Sequence, residues 1–267
     1  MQWLKKIIMQ SVDLYFQHRT VPVPPADRLR KCKLVSHRGE HDNRNVFENT
    51  LEAFELAYGA GVWGIELDLR WTKDLNPVIF HDPDTDRLYG KDYRINQLRL
   101  IELKRIFPQI PTLDEVVERF GHKMHLMLEI KKTDYPDPEY QSRRLISGMA
   151  SLKPGLDYHL ISLSPDMFRH FDRFPTIYCL PIAQLNLRSI SSLAIRNNYG
   201  GILGHYLMIS RRYQHRHGRH DQKIGTGYAE SANCLYRELN RGVEWIFSNH
   251  AADLQQTVHN RLKTVGP

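Results

Sequence analysis

The sequence predicts an α/β fold, a TIM-type (β/α)8 barrel, and two observations carry that prediction. Short apolar runs alternate with amphipathic stretches along most of the chain, the pattern of a parallel sheet built from strand–helix units. The chain has 267 residues, a length at which such a barrel closes as one domain.

The strand candidates are residues 33–37, 63–69, 125–130, 159–163, 177–182, 201–203, 223–227 and 244–248. Eight such runs suit eight strand–helix units. Helical patterns fall between them at 51–58, 113–119, 141–150, 166–172, 188–197, 211–217 and 231–241. Thr50 is placed to open the first of these and a glycine at 59 or 61 to close it.

One further strand candidate, 77–81, follows the second run too closely for a helical crossover, which needs about a dozen residues. It is expected to fold back antiparallel as a short hairpin at the C-terminal face. A turn centred on 73–76 pairs Thr72 with Pro77, Arg70 with Ile79 and Asp68 with His81. That register brings His81 to the barrel mouth, where such barrels keep their active sites.

The N-terminal residues stand apart. Trp3, Leu4, Ile7, Ile8, Val12, Tyr15 and Phe16 fall mostly on one helical face. Residues 1–25 therefore read as an amphipathic helix and a proline-rich linker, and 26–267 as the barrel domain. The helix suits either a plug at one end of the domain or a peripheral membrane contact through 1–19, with Lys5, Lys6 and Arg19 toward lipid headgroups.

Lys plus Arg number 37 against 30 Asp plus Glu, a formal net charge of +7, which favours anionic partners. Cys32, Cys179 and Cys234 make neither a disulfide framework nor a zinc site, so a reducing compartment is expected. No run of eighteen apolar residues is present, and the N-terminus lacks a secretory-signal core. A cytoplasmic protein, with contact to the inner membrane face as the variant reading, is the expectation. The run Arg211–His220 is rich in Arg and His. It reads as a solvated barrel helix, with a phosphate- or nucleic-acid-gripping module as the competing view; no nucleic acid is expected.

Several side chains carry chemistry. Glu66 and Asp68 lie two apart on a strand, so both carboxylates face one side, roughly 6.6 Å apart. Such a pair is costly to bury without a cation between them, and a divalent metal is the simplest one. Glu129 and Lys131 repeat the spacing on the next strand. Glu129 makes a third oxygen ligand, and Lys131 faces a substrate anion. Three carboxylates suit Mg²⁺ or Ca²⁺ better than zinc. His37 ends the first strand and is a candidate acid or base beside His81, and Arg38 offers a planar fork to phosphate oxygens. His205 and Tyr206 are candidates for the pocket wall. Asp82 and Asp84 read as turn residues.

Val35-Ser36-His37-Arg38-Gly39, Glu48-Asn49-Thr50, Gly64-Ile65-Glu66-Leu67-Asp68, Val78-Ile79-Phe80-His81-Asp82 and Leu128-Glu129-Ile130-Lys131 occur in this order. The set resembles the glycerophosphodiester phosphodiesterase family, over roughly residues 32–255. Pro111-Thr112-Leu113-Asp114-Glu115 and the segment Gly242-Val243-Glu244-Trp245-Ile246-Phe247-Ser248-Asn249 share in it.

The resemblance implies metal-dependent hydrolysis of a small phosphodiester to glycerol 3-phosphate and an alcohol. It implies Mg²⁺ or Ca²⁺ on Glu66, Asp68 and Glu129, acid/base roles for His37 and His81, and phosphate-facing roles for Arg38 and Lys131. Glu48 and Asn49 match the segment that shapes the substrate site. The chain departs from the family pattern at Phe47, at Gly225-Thr226-Gly227-Tyr228 and at Asn249. These departures bear on the alcohol and the pocket shape. A membrane-associated, lysophospholipase D-like activity is the alternative reading.

Overall fold

A computed structural model describes Tyr15 and residues 18–265. Its strands are β1 (Leu34–His37), β2 (Gly64–Trp71), β3 (Pro77–Ile79), β4 (His125–Ile130), β5 (Tyr158–Ser162), β6 (Cys179–Ala183), β7 (Gly201–His205), β8 (Lys223–Gly227) and β9 (Trp245–Ser248). All but β3 run parallel around a ring, β1-β2-β4-β5-β6-β7-β8-β9, which the β1–β9 pairing closes. The expected eight-unit barrel is therefore the fold.

The helices are α1 (Ala26–Arg30), α2 (Leu51–Gly59), α3 (Asp86–Tyr89), α4 (Leu100–Ile106), α5 (Leu113–Phe120), α6 (Pro138–Gly148), α7 (Leu187–Arg196), α8 (Arg211–Gly218), α9 (Ala232–Arg241) and α10 (Ala251–Val265). After β5 a 3-10 segment, Pro165–Phe171, stands where a helix was expected. Thr50, Thr112 and Ser231 accept backbone N–H bonds at the starts of α2, α5 and α9, each satisfying a donor that the first turn leaves open.

Side-chain alternation decides what faces the barrel axis. On β2, Ile65, Leu67 and Leu69 point outward into the layer shared with the helices, so Glu66 and Asp68 point in. On β4, Leu126, Leu128 and Ile130 point outward, which turns Met127, Glu129 and Lys131 inward. The axis is filled by Val35, Met127, Ile161, Leu180, Leu203, Trp245 and Phe247. Each such burial contributes about 1.5–3 kcal/mol. The charged residues sit one layer above this plug, at the C-terminal mouth.

The floor is closed by two buried histidines. His125 Nε2 lies 2.8 Å from His159 Nδ1, and His125 Nδ1 lies 2.9 Å from the Leu156 carbonyl. The Trp63 ring stacks on His125 at 4.4 Å, and Trp245 meets His159 edge-on.

The hairpin exists, but its register is one residue away from the expected one. Leu69 pairs with Ile79, Arg70 with Val78 and Trp71 with Pro77. The connection, 72–76, is one residue longer than expected because Thr72 belongs to it rather than to the ladder: its N–H donates to the Asn76 carbonyl at 3.0 Å, and its hydroxyl donates to Asp74 Oδ1 at 2.6 Å. Tyr206 also departs from expectation. It is buried in the outer layer at 1% exposure, because β7 alternation turns it away from the axis.

The amphipathic helix expected before the linker falls almost wholly outside the described residues. The linker itself lies against the barrel, with Asn240 Nδ2 donating to the Pro22 carbonyl at 2.7 Å. Among the described residues no helix is long and apolar enough to cross a membrane.

Candidate active site

Arg38 adopts φ 62° and Gly39 φ 79°. Left-handed backbone is uncommon for a residue like Arg and marks local strain. Gly39 is required twice over. A Cβ there would also sit 2.7 Å from the Ala53 backbone. The two residues fold the chain sharply over the top of β1, and the Asn49 N–H holds the Arg38 carbonyl at 2.9 Å. This turn brings the Arg38 guanidinium and the 48–50 segment over the mouth.

All of the expected site residues gather there. Ligand-capable oxygens of Glu66, Asp68 and Glu129 lie within 4.8 Å of one another, and all three residues are buried. Asp68 Oδ2 accepts from Asn49 Nδ2 at 2.7 Å and lies 3.1 Å from Arg38 Nε. Lys131 Nζ lies 2.7 Å from Asp68 Oδ1 and 2.9 Å from Glu129 Oε1. Arg38 Nη1 donates to Glu48 Oε1 at 3.0 Å.

Glu66 is different. Neither of its buried oxygens has a hydrogen-bond partner among the described residues. His37 Nε2 is 3.7 Å from its Oε2, beyond hydrogen-bond reach.

The electrostatics follow this split. Burial, then Asp68 and Glu129, push the Glu66 carboxyl well above its usual range. Burial and then Asp68 bring Glu129 up to about 7. Burial also opposes the Asp68 charge, yet Lys131 and Arg38 hold that carboxyl far below its ordinary value. Lys131 is desolvated too, but Asp68 and Glu129 keep its pKa above normal. Without a cation the three acids share too little positive charge, and Glu66 carries the deficit.

His37 and His81 face this cluster from different elements. Burial and then Arg38 lower His37 to about 3. Its Nδ1 lies 2.8 Å from Asn249 Oδ1, and its Nε2 lies 3.3 Å from the Tyr228 hydroxyl. Asn249 Nδ2 donates to Glu230 Oε1 at 3.0 Å, so its amide orientation is fixed from behind.

His81 reaches the site despite the register slip, because it lies beyond the last ladder pair of β3. Arg70 Nε and Nη2 clamp its carbonyl at 3.0 and 2.6 Å. Burial lowers its pKa, while nearby Asp68 opposes the shift and Lys131 adds to it. Its Nδ1 lies 2.7 Å from Asp82 Oδ1.

Sequence reasoning missed Arg87, Asp82, Arg70, Tyr228 and the roles of Asn249 and Glu230. Arg87 joins the two halves of the mouth, donating to Asp82 Oδ2 and to Glu48 Oε1, each at 2.5 Å. Asp82 stands next to His81 in the chain, a signal that an Asp–His pair was available. Arg87 and Glu230 carry no such local signal.

Comparison with known proteins agrees with this geometry. Residues 37–151 match the family model described as "Glycerophosphoryl diester phosphodiesterase family". A glycerophosphodiester phosphodiesterase of Caldanaerobacter subterraneus is 38% identical over 113 residues, which are 38% of this chain and 46% of that protein. Human glycerophosphodiester phosphodiesterase 1 is 32% identical over 131 residues, 41% of this chain and 39% of that one. The chain thus spans less than half the length of these relatives.

Two solved structures share the fold. A glycerophosphodiester phosphodiesterase of Thermotoga maritima has a TM-score of 0.71 at 21% identity, covering 85% of this chain and 98% of that one. An Oleispira antarctica phosphodiesterase in complex with the product sn-glycerol-3-phosphate has a TM-score of 0.71 at 21% identity, covering 85% and 96%. The matched segment contains every candidate ligand and both candidate acid/base histidines, it lies on a barrel of the same architecture, and it is similar in sequence to the glycerophosphoryl diester phosphodiesterase family.

Proposed function

We propose that this chain hydrolyses glycerophosphodiesters to glycerol 3-phosphate and an alcohol. The observation that carries this reading is the buried trio of Glu66, Asp68 and Glu129 beside two histidines held by their Nδ1 atoms. The match of residues 37–151 to the family model supports the reaction class. Residues 26–267 would form the catalytic domain, with 1–25 as a separate leading segment.

The trio fits a divalent cation. Glu66 has two buried oxygens without hydrogen bonds among the described residues, and three hard oxygen donors match Mg²⁺ or Ca²⁺. Glu66, Asp68 and Glu129 would hold it. When bound, such an ion draws charge from the non-bridging phosphate oxygens.

The chain's own residues account for the other steps. Arg38 and Lys131 point cationic groups at the same region and oppose the charge that grows on the phosphate oxygens in the transition state. Asn49 fixes Asp68, and Glu48 fixes Arg38, so neither must reorganise during reaction. Asn249 on His37 and Asp82 on His81 each take the Nδ1 side, so the Nε2 atoms are the ones to meet the substrate, that of His37 in place of its contact with the Tyr228 hydroxyl. One imidazole removes the proton of the attacking hydroxyl, and the other delivers a proton to the departing alkoxide. Attack by water yields the products directly. Attack by the substrate's own glycerol hydroxyl yields a cyclic phosphate that water then opens. Each displacement takes one proton and returns one: the water route has one displacement and the cyclic route two.

The test is release of glycerol 3-phosphate from a panel of glycerophosphodiesters with Mg²⁺ or Ca²⁺ added. Each of His37→Ala and His81→Ala should lower turnover by about 10²–10⁴-fold while leaving the fold intact. Near-normal hydrolysis by either variant removes the acid/base assignment. Activity that resists a chelator removes the metal.

A further inference from the structure

The charge of this chain is unevenly distributed. Residues 173–220 contain seven arginines and no Asp or Glu. This stretch builds β6, α7, β7 and α8, which together form one side of the barrel.

The mouth end of that side is also apolar. Ala183 pairs with Gly204, and His205 with Gly227, so the ends of β6, β7 and β8 lie side by side. Leu185 follows β6 by two residues and is 96% exposed; Leu207 follows β7 by two and is 44% exposed. Arg188 lies in the first turn of α7, and Arg211 and Arg212 open α8. All three are exposed. Two leucines and three arginines therefore share one rim, on the face where the candidate site opens.

A single exposed leucine is ordinary on a protein surface. Leucines on adjacent loops, backed by arginines in segments without a carboxylate, form the amphipathic pattern of an interfacial surface. We propose that the β6–β7 side of the barrel mouth rests on an anionic lipid surface. Leu185 and Leu207 enter the headgroup layer, and Arg188, Arg211 and Arg212 meet lipid phosphates through their planar forks. A nucleic acid would use the arginines but gain nothing from an apolar side chain as exposed as Leu185. The lipid surface uses both. The inference stands on the rim itself and does not depend on the reaction assigned to the site.

The test is co-sedimentation of the full chain with vesicles of phosphatidylcholine alone and with about one-third phosphatidylglycerol. Binding should require the anionic lipid and weaken as salt is raised. Arg211→Glu with Arg212→Glu should lower the partition coefficient by about tenfold or more. Leu185→Glu with Leu207→Glu should do the same at half that charge change. Lys123→Glu with Arg219→Glu, at the opposite end of the barrel, is the charge-matched control and should bind nearly as the parent does.

All variants keep residues 1–19, so parent-like binding by both rim pairs assigns the contact to that segment and overturns the proposal. No vesicle binding by the parent overturns it, as does equal loss in the control pair. Binding to a labelled oligonucleotide with vesicles ignored overturns it as well. Unfolding midpoints within a degree or two of the parent's exclude misfolding as the cause of a loss.

Discussion

His37 and Asn249 meet at 2.8 Å, Nδ1 to Oδ1, across the seam where β1 and β9 close the barrel. Glu230 holds the Asn249 amide from behind at 3.0 Å, so the side that faces His37 is the carbonyl oxygen. An acceptor at Nδ1 keeps that nitrogen protonated and leaves the Nε2 lone pair toward the site. Asn249→Ala should lower kcat about tenfold with little change in KM, because orientation rather than substrate binding is lost. Asn249→Asp keeps the acceptor and should retain most of the activity. Steady-state kinetics of the pair distinguish positioning from packing: equal losses in both variants would count against the orienting role.

Among the described residues Glu66 has no hydrogen-bond partner to lose, which makes it the most sensitive reporter of a bound cation. For the parent protein, Mg²⁺ or Ca²⁺ at about a hundred times Kd should raise the unfolding midpoint by roughly 5–10 °C. Glu66→Gln should lose that shift and the activity together. Its midpoint without metal should match or exceed the parent's, since the substitution removes an unpaired buried carboxylate. A parent midpoint indifferent to both ions would refute a metal on this trio.

Arg87 ties Glu48 to Asp82, and through them the Arg38 side of the mouth to the His81 side. Its side chain is partly exposed, so Arg87→Met should cost no more than about 1 kcal/mol in denaturant unfolding. Turnover should fall further than stability, by about tenfold, because Asp82 and Glu48 both lose a partner that fixes them. Arg87→Lys cannot span two carboxylates with a planar fork and should behave like Met. Full activity in the Lys variant would show that the bridge has no part in holding the site.

His125 and His159 on the barrel floor set a pH dependence of stability apart from catalysis. Burial lowers His125 to about 4; burial and then His125 lower His159 to about 3. The unfolded chain takes up these protons near pH 6.5, whereas the folded chain resists them until far lower pH. Stability is therefore present in full above about pH 6.5 and declines as the pH falls toward 4. Each histidine contributes on the order of 2 kcal/mol to the loss between pH 7 and 5. Urea unfolding at both pH values should show this drop. His159→Phe should flatten it, and an unchanged drop would locate the acid sensitivity elsewhere.

Much of the fold was legible because alternation is a local property. Outward Ile65, Leu67 and Leu69 force Glu66 and Asp68 inward, and outward Leu126, Leu128 and Ile130 do the same for Glu129 and Lys131. The carboxylate trio and its cations could thus be named from spacing. The hairpin could be foreseen too, because its connection is too short for a crossover. Its register could not: the ladder ends one residue early, at Trp71, because Asp74 draws Thr72 into the turn through a side-chain bond that spacing does not encode. His81 nevertheless reached the site, carried there by Arg70, whose reach to a carbonyl eleven residues on is a property of the folded hairpin.

The sequence by itself determined the barrel, the carboxylate trio, the two histidines and their cations, since each follows from period-two strands and the order of short motifs. Tertiary structure alone decided what holds those groups. Asn249 reaches His37 only once the ring closes, and Arg87 reaches Glu48 only once the hairpin folds over the first loop. Leu185 and Leu207 become neighbours only when β6 and β7 pair. These contacts join residues that are far apart in the chain or that no backbone periodicity links, so only burial and barrel closure bring them within hydrogen-bond or packing distance.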